Sequence, residues 1–393
     1  MKVAVVVDWL TDSGGAESVF SEALKALPGA TLHALVDGMS AAEHERLGIP
    51  RARTTWMQRI PGIGRSYRSW LPLMPGALRS LDLSGADVVL AISHAVAKAA
   101  PVAPRQRLLC LCLSPMRYAW DLRGQYLTEA GLDRGVRGLV ARALLDRMRG
   151  WDHRTAARVD SFASISRNIE DRVRRSYGRD SVVIYPPVDT EYFTPGDAGA
   201  ATPGSEGYYV TASRFVPYKR VDLIVRAFAG DPARRLVVIG DGPDRAKVRA
   251  AAGGAANVTF LGHADRAVLR THLRAARAFV FAAEEDFGIA PVEAQACGTP
   301  VIAFGRGGAL ETVVPLARAV DSVHESGHRP TGIFFAGQDA VSIREAVERF
   351  ESSEDSLSHE ACRANAERFA ASRFRRELAE WVATAGKTGP ASR

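Results

Sequence analysis

Short runs of apolar, β-branched residues recur along the chain, each ending in a polar or glycine-containing turn and most followed by a helical pattern. In the first half the runs are KVAVVVD, ATLHALV, DVVLAIS and RLLCLCL, with a helix expected from about Ala16. The second half repeats the grammar in GYYVTAS, RLVVIGD, NVTFLG, RAFVFAA and TPVIAFG. Strands alternating with helices imply parallel sheets covered on both faces. The chain is therefore expected to be α/β, with two Rossmann-like domains. The segment VVIYPPVDTEYFTPGDAGAATPGSEG interrupts the periodicity with proline, glycine and small polar residues, which marks a linker. The expected division is an N-terminal domain at 1–185, a linker at 186–206, a C-terminal domain at 207–361 and a final segment at 362–393. That last segment is amphipathic, with Phe369, Phe374, Leu378 and Trp381 on its apolar side, and is expected to cross back to the first domain.

The length of 393 residues suits two domains better than one core. Hydrophobic residues make up 47% and charged residues 24%, which excludes a disordered chain and a membrane channel. The first residues read as a buried strand without a cleavage site, so a cytoplasmic location is expected. Cys110, Cys112, Cys297 and Cys362 lack paired spacing and are expected to be free, mostly buried thiols.

A formal charge of +7 suits phosphate-bearing ligands, an anionic membrane surface or nucleic acid. The chain holds no aromatic-basic module of a known nucleic-acid reader, so no nucleic-acid partner is expected. Arginines cluster from Arg134 to Arg158 among Leu139, Val140, Leu144, Leu145 and Met148 at helical spacing. That stretch reads either as a solvated helix face or as a peripheral contact with anionic lipid. The run from Trp56 through Arg59, Tyr67 and Trp70 is a second candidate for contact with a membrane-borne acceptor.

The densest chemistry lies in FVFAAEEDFGIAPVEAQACGTPVIAFGRGG, residues 279–308. A strand enters a loop at Glu284–Gly288, and Pro291 stands near the start of the next helix. Helix N-termini attract phosphate, and glycine lets a ligand approach the backbone. Glu285 and Glu293 can face one ligand, and a carboxylate is suited to read a ribose diol. TASRFVPYKRVDL supplies Arg214 and Lys219 as cations for a diphosphate leaving group. Gly240 and Gly242 punctuate a turn at another strand end, and Gly14 and Gly15 do so in the N-terminal domain. Each of these taken alone also reads as an ordinary surface turn.

Taken in order, Gly-Gly-Ala-Glu at residues 14–17, Arg214, Lys219, GDGP, Glu285, Phe287, Gly288, Glu293 and CGTPVI resemble the retaining glycosyltransferases of family 4, which have the GT-B fold. SHAVAK, SPMRYAWD, VIYPPVDTEYF and TGIFF are similar to bacterial mannosyltransferases of surface polysaccharide synthesis. The resemblance implies two domains with parallel sheets facing a central cleft and closing over the donor. It implies a hexose, most of all mannose from GDP-mannose, moved to a lipid-linked or polysaccharide acceptor at the inner face of a membrane. It further implies that Glu293 binds the ribose hydroxyls, Glu285 faces the sugar, and Arg214 and Lys219 hold the diphosphate. Phe287, Gly288 and Ile289 would shape the sugar-phosphate pocket, with Gly14 and Gly15 admitting phosphate from the opposite wall. No metal and no cofactor are implied.

One position departs from the pattern. Relatives carry histidine before the Ser/Thr-Pro pair, and this chain has Leu113. His94 is the nearest replacement as a catalytic partner of the sugar, with a structural role as the alternative. Arg117, Tyr118 and Asp121 are candidates for the acceptor side, or for loop packing. Two other functions remain open on sequence: a catalytically silent GT-B scaffold in a polysaccharide assembly complex, and a nucleotide-sugar epimerase of the same fold.

Overall fold

A computed structural model of the chain describes residues 1–11, 15–120, 124, 127, 134–196, 207–316 and 329–387, apart from the side chain of Arg65. Gly14 and Asp121 lie outside the described residues. The chain forms two compact units, Met1–Pro187 with Ser372–Arg393, and Val188–Ala371.

The first unit holds a seven-stranded sheet among the described residues, in the order β3-β2-β1-β4-β5-β6-β7. Its strands are β1 (Val3–Val7), β2 (Thr31–Ala34), β3 (Arg53–Thr54), β4 (Val88–Ser93), β5 (Arg107–Cys112), β6 (Ser161–Ser164) and β7 (Val182–Val183). The second unit holds six strands in the order β10-β9-β8-β11-β12-β13. These are β8 (Tyr208–Ala212), β9 (Arg235–Ile239), β10 (Val258–Gly262), β11 (Ala278–Phe281), β12 (Val301–Phe304) and β13 (Gly332–Phe335). All of these strand pairs are parallel. β1, β4, β5, β8, β11 and β12 are buried along their whole length, as helices on both faces of a parallel sheet require.

Strand order reverses once in each sheet, between β1 and β4 and between β8 and β11. At such a point the loops leave neighbouring strand ends in opposite directions and open a crevice, where ligands of open α/β sheets bind.

The unit boundaries correct the expected ones. Val188 to Phe193, within the linker expected at 186–206, belong to the second unit. The Arg363 guanidinium donates to the carbonyls of Thr190 and Phe193, each at 2.8 Å, and holds that stretch in place. The final segment is two helices, His359–Glu367 and Ala371–Lys387, instead of one. The break falls where Ala370 bridges Val188 and the Val188 N–H donates to the Phe369 carbonyl at 2.9 Å. Phe369 is thereby buried in the second unit, while Ser372 onward belongs to the first. There Phe374, Leu378 and Val382 are buried and Trp381 Nε1 donates to Ser161 Oγ at 3.2 Å. All four cysteines are free and buried. Among the described residues no helix is long and apolar enough to cross a membrane.

Candidate active site

In the second unit the predicted residues gather at the reversal point. β8 ends at Ala212 and leads into Arg214 and Lys219, while β11 ends at Phe281 and leads into Glu285–Gly288. Lys219 and Glu285 form an ion pair, and the Lys219 ammonium lies 5.7 Å from the Tyr218 ring centre and 5.8 Å from that of Phe281. Arg214 is exposed, and among the described residues no hydrogen bond or ion pair engages its guanidinium. The loop thus presents one cation already matched by a carboxylate and a second one open to a ligand.

Gly288 adopts φ 89° and starts the helix Ile289–Ala296 without a side-chain cap. A residue with a side chain is strained at that angle. Ile289 and Ala290 are in the first turn, where backbone N–H groups have no intrahelical acceptor and carry the positive end of the dipole. Glu293 follows in the same helix. It is half-buried, makes no side-chain hydrogen bond among the described residues, and is pushed up to about 7 by desolvation. A partly dehydrated carboxylate without partners is unusual in a folded protein and suits a ligand that brings hydroxyl donors. Beneath it the buried Gln295 amide donates to the Thr312 carbonyl at 2.8 Å and accepts from Asn365 at 2.6 Å. This pair fixes the rotation of the helix.

The Phe287 ring is buried in edge contact with that of Phe369, with centres 5.3 Å apart, so its side chain packs against the interior at the foot of the loop. Gly240 and Gly242 have a structural reason to be glycine. A Cβ at Gly240 would stand 1.9 Å from the Ser213 carbonyl oxygen and one at Gly242 2.4 Å from that of Phe215. The turn after β9 is pressed against the loop that carries Arg214.

Sequence reasoning passed over three features. Gly307 and Gly308 press on the Glu285 loop, where a Cβ would meet the Glu285 oxygen at 2.4 Å and the Phe287 Cα at 2.3 Å, and the Gly308 N–H donates to the Glu285 carbonyl at 2.7 Å. The run FGRGG was the available signal. Arg220, beside Lys219, has φ 51°, and its Nη1 donates to Gln338 Oε1 at 3.2 Å while Gln338 Nε2 donates to the Ala282 carbonyl at 2.8 Å. Non-glycine residues at such angles cluster in functional loops, and nothing in the one-dimensional pattern marks them.

The third is Asp8, at the reversal point of the first unit. Fully buried after β1, it accepts the N–H groups of His94, Ala95, Val96 and Ala97 at 2.6–3.0 Å. The His94 Nδ1 lies 3.2 Å from its carboxylate, and the imidazole meets the Trp9 ring edge-on at 4.6 Å. That contact places the Nδ1 proton toward Asp8 and leaves Nε2 as an acceptor. Desolvation, together with Arg117, Arg68 and Lys98, lowers the His94 pKa against the opposing pull of Asp8, which keeps the ring neutral. In the sheet Ser93 is opposite Cys112, so His94 and Leu113 are the next residues on adjacent strands, and Leu113 is buried. Arg117 and Tyr118 are half-buried, and Arg117 Nε lies 3.4 Å from Ser114 Oγ. Gly15 opens the exposed start of the helix Gly15–Ala26. Tyr67 is buried against Trp9, unlike the exposed Trp56, which removes it from a surface run.

Comparison with known proteins bears on both units. Residues 198–369, less than half of the chain, match the family described as glycosyl transferases group 1. The D-inositol 3-phosphate glycosyltransferase of Mycobacterium tuberculosis is 36% identical over 171 residues, covering 38% of this chain and 35% of that protein. The chain thus spans about a third of the length of the curated relatives it matches. Among solved structures, Anabaena HepE in complex with UDP-glucose is similar with a TM-score of 0.65 at 19% identity, covering 97% of this chain and 99% of that one. Sucrose-phosphate synthase of Thermosynechococcus elongatus has a TM-score of 0.71 at 18% identity, with 98% of each chain covered. The fold is the GT-B fold, and residues 198–369, most of the second unit, are similar to the glycosyl transferases group 1 family.

Proposed function

We propose that the protein is a retaining glycosyltransferase that moves a hexose from a nucleotide sugar to a lipid-linked or polysaccharide acceptor. The observation that carries this reading is the set at the β8/β11 reversal point: an open guanidinium, a lysine–carboxylate pair, an uncapped helix N-terminus and the unpartnered carboxylate of Glu293. Glu293 would accept the ribose hydroxyls, and Glu285 would face the sugar. Arg214 and Lys219 would neutralise the diphosphate together with the N–H groups from Gly288 and Ile289. Gly240 and Gly242 hold the Arg214 loop, and Gly14 and Gly15 would admit the donor phosphate.

In the proposed step the bond from the anomeric carbon to the diphosphate oxygen breaks while the acceptor oxygen bonds to the same face of that carbon. The acceptor proton leaves on the diphosphate oxygen. The cations stabilise the charge that develops there, and no metal or other cofactor is asked to do so. His94, held neutral by desolvation and oriented by Asp8, is the proposed replacement for the histidine that Leu113 displaces. Arg117, Tyr118 and Asp121 are proposed for the acceptor, with the protein peripheral at a membrane in surface glycan synthesis. The resemblance favours GDP-mannose as donor. A silent scaffold is favoured by one observation, the apolar buried Leu113.

Titration calorimetry without added metal tests the donor half. One of GDP-mannose, GDP-glucose, UDP-glucose and UDP-galactose should bind, and Glu293→Ala should weaken it about tenfold or more, as a lost charge-assisted hydrogen-bond pair does. No binding by any of them would remove the reading.

A further inference from the structure

We propose that the outer face of the helix Gly135–Ala156 is the surface by which this protein docks on an anionic lipid bilayer. The helix packs inward through Gly138, Met148, Asp152, Thr155 and Ala156. Its other side does not follow the usual rule that such a face is polar. Val136 is 76% exposed, Leu139 61%, Val140 64% and Leu144 39%. At about 100° per residue these four fall with Ala143 on one arc of about 140°. Met148, which the sequence grouped with them, is on the buried side. The apolar patch therefore spans the first turns of the helix and faces solvent.

Charge decides what covers it. The helix carries five arginines, Arg137, Arg142, Arg147, Arg149 and Arg154, against two acids, Asp146 and Asp152. Asp152 is buried and paired with Lys98, so Asp146 is the exposed acid of the helix. Arg137 flanks the apolar arc, and Arg147 and Arg154 continue the same face toward the C-terminal end, all three exposed. Apolar side chains between arginines match a lipid boundary, where the chains enter the acyl edge and the guanidinium groups meet headgroup phosphates. A protein partner fitted to this patch would need a hydrophobic face rimmed by acid, whereas an anionic bilayer supplies both layers at once. The inference rests on the membrane-borne acceptor proposed above for its purpose. The contact itself is measured without turnover.

Flotation with phosphatidylcholine vesicles, with and without phosphatidylglycerol, tests it on the full chain. The native protein should float with the anionic vesicles only, less so at high salt. The variant Leu139→Ser with Leu144→Ser should lose about tenfold or more in binding, and Arg137→Gln with Arg147→Gln should lose the salt-sensitive part. All four side chains are exposed, so the thermal midpoint and nucleotide binding should stay as in the native chain. Native protein that does not float, or a serine variant that floats equally well, overturns the proposal. So does a native dimer in solution that the serine variant dissociates, because the face would then belong to a second copy of this chain.

Discussion

Glu293 is the residue whose titration can be followed. Burial raises its pKa from the ordinary value of 4.5 to about 7, so the folded state holds the proton more tightly than the unfolded chain. For a group raised in this way, stability is favoured below the unfolded pKa and lost as pH rises through the folded one. The contribution therefore falls between about pH 4.5 and 7, and at pH 8 the ionised carboxylate costs on the order of 3 kcal/mol. Glu293→Gln should accordingly raise the melting temperature more at pH 8 than at pH 5. If the ionised form reads the ribose, donor affinity should rise with pH across about 7 in the native protein and not in this variant. Flat affinity in both would detach Glu293 from the ligand. Lys98 offers a contrast in the first unit. It pairs with the buried Asp152, which also accepts from the half-buried Trp120 at 2.9 Å and from the buried Tyr177 at 2.8 Å. Lys98→Met leaves that carboxylate uncompensated and should destabilise by about 3–5 kcal/mol, read from urea denaturation. The placement of Arg214, Lys219 and Glu285 after strand ends, and of Glu293 in the helix that follows, was legible because apolar runs mark the strands and the polar residues mark where they stop. Asp8 was not, because its four N–H donors come from a loop more than eighty residues away.

At the scale of elements, the turns are explained by backbone contact. Gly240→Ala would put a Cβ against the Ser213 carbonyl and should cost about 3 kcal/mol by overpacking, lowering the thermal midpoint. A midpoint unchanged from the native one would mean the two turns can separate. The strands were legible from their apolar runs, since burial on both faces leaves little room for polar residues. The break at Phe369–Ala370 was hidden for a physical reason. No proline or glycine marks it, and the pairing of Ala370 with Val188 across a long sequence separation overrides a helical pattern that continues on both sides. The helix Gly135–Ala156 was expected from its apolar spacing, but leucine and valine do not by themselves say which side is buried, and Met148 turns inward while Leu139 and Val140 stay exposed.

For the whole molecule, the same device appears in each unit. A parallel sheet reverses its strand order once, and the side chains singled out for chemistry stand at that reversal, Asp8 and His94 in one unit and Arg214, Lys219 and Glu285 in the other. The fold class was readable because strand–helix alternation leaves few alternatives, while the unit boundaries depend on hydrogen bonds between residues distant in sequence. Turnover of GDP- and UDP-sugars by the native chain, compared with Arg214→Ala and Glu285→Ala and with a chelator present, tests the proposed transferase most directly. The account predicts that one nucleotide sugar is slowly hydrolysed, that the chelator changes nothing, and that each substitution reduces turnover about a hundredfold or more. Turnover that survives both substitutions, or a nucleotide sugar bound and never cleaved, would contradict it.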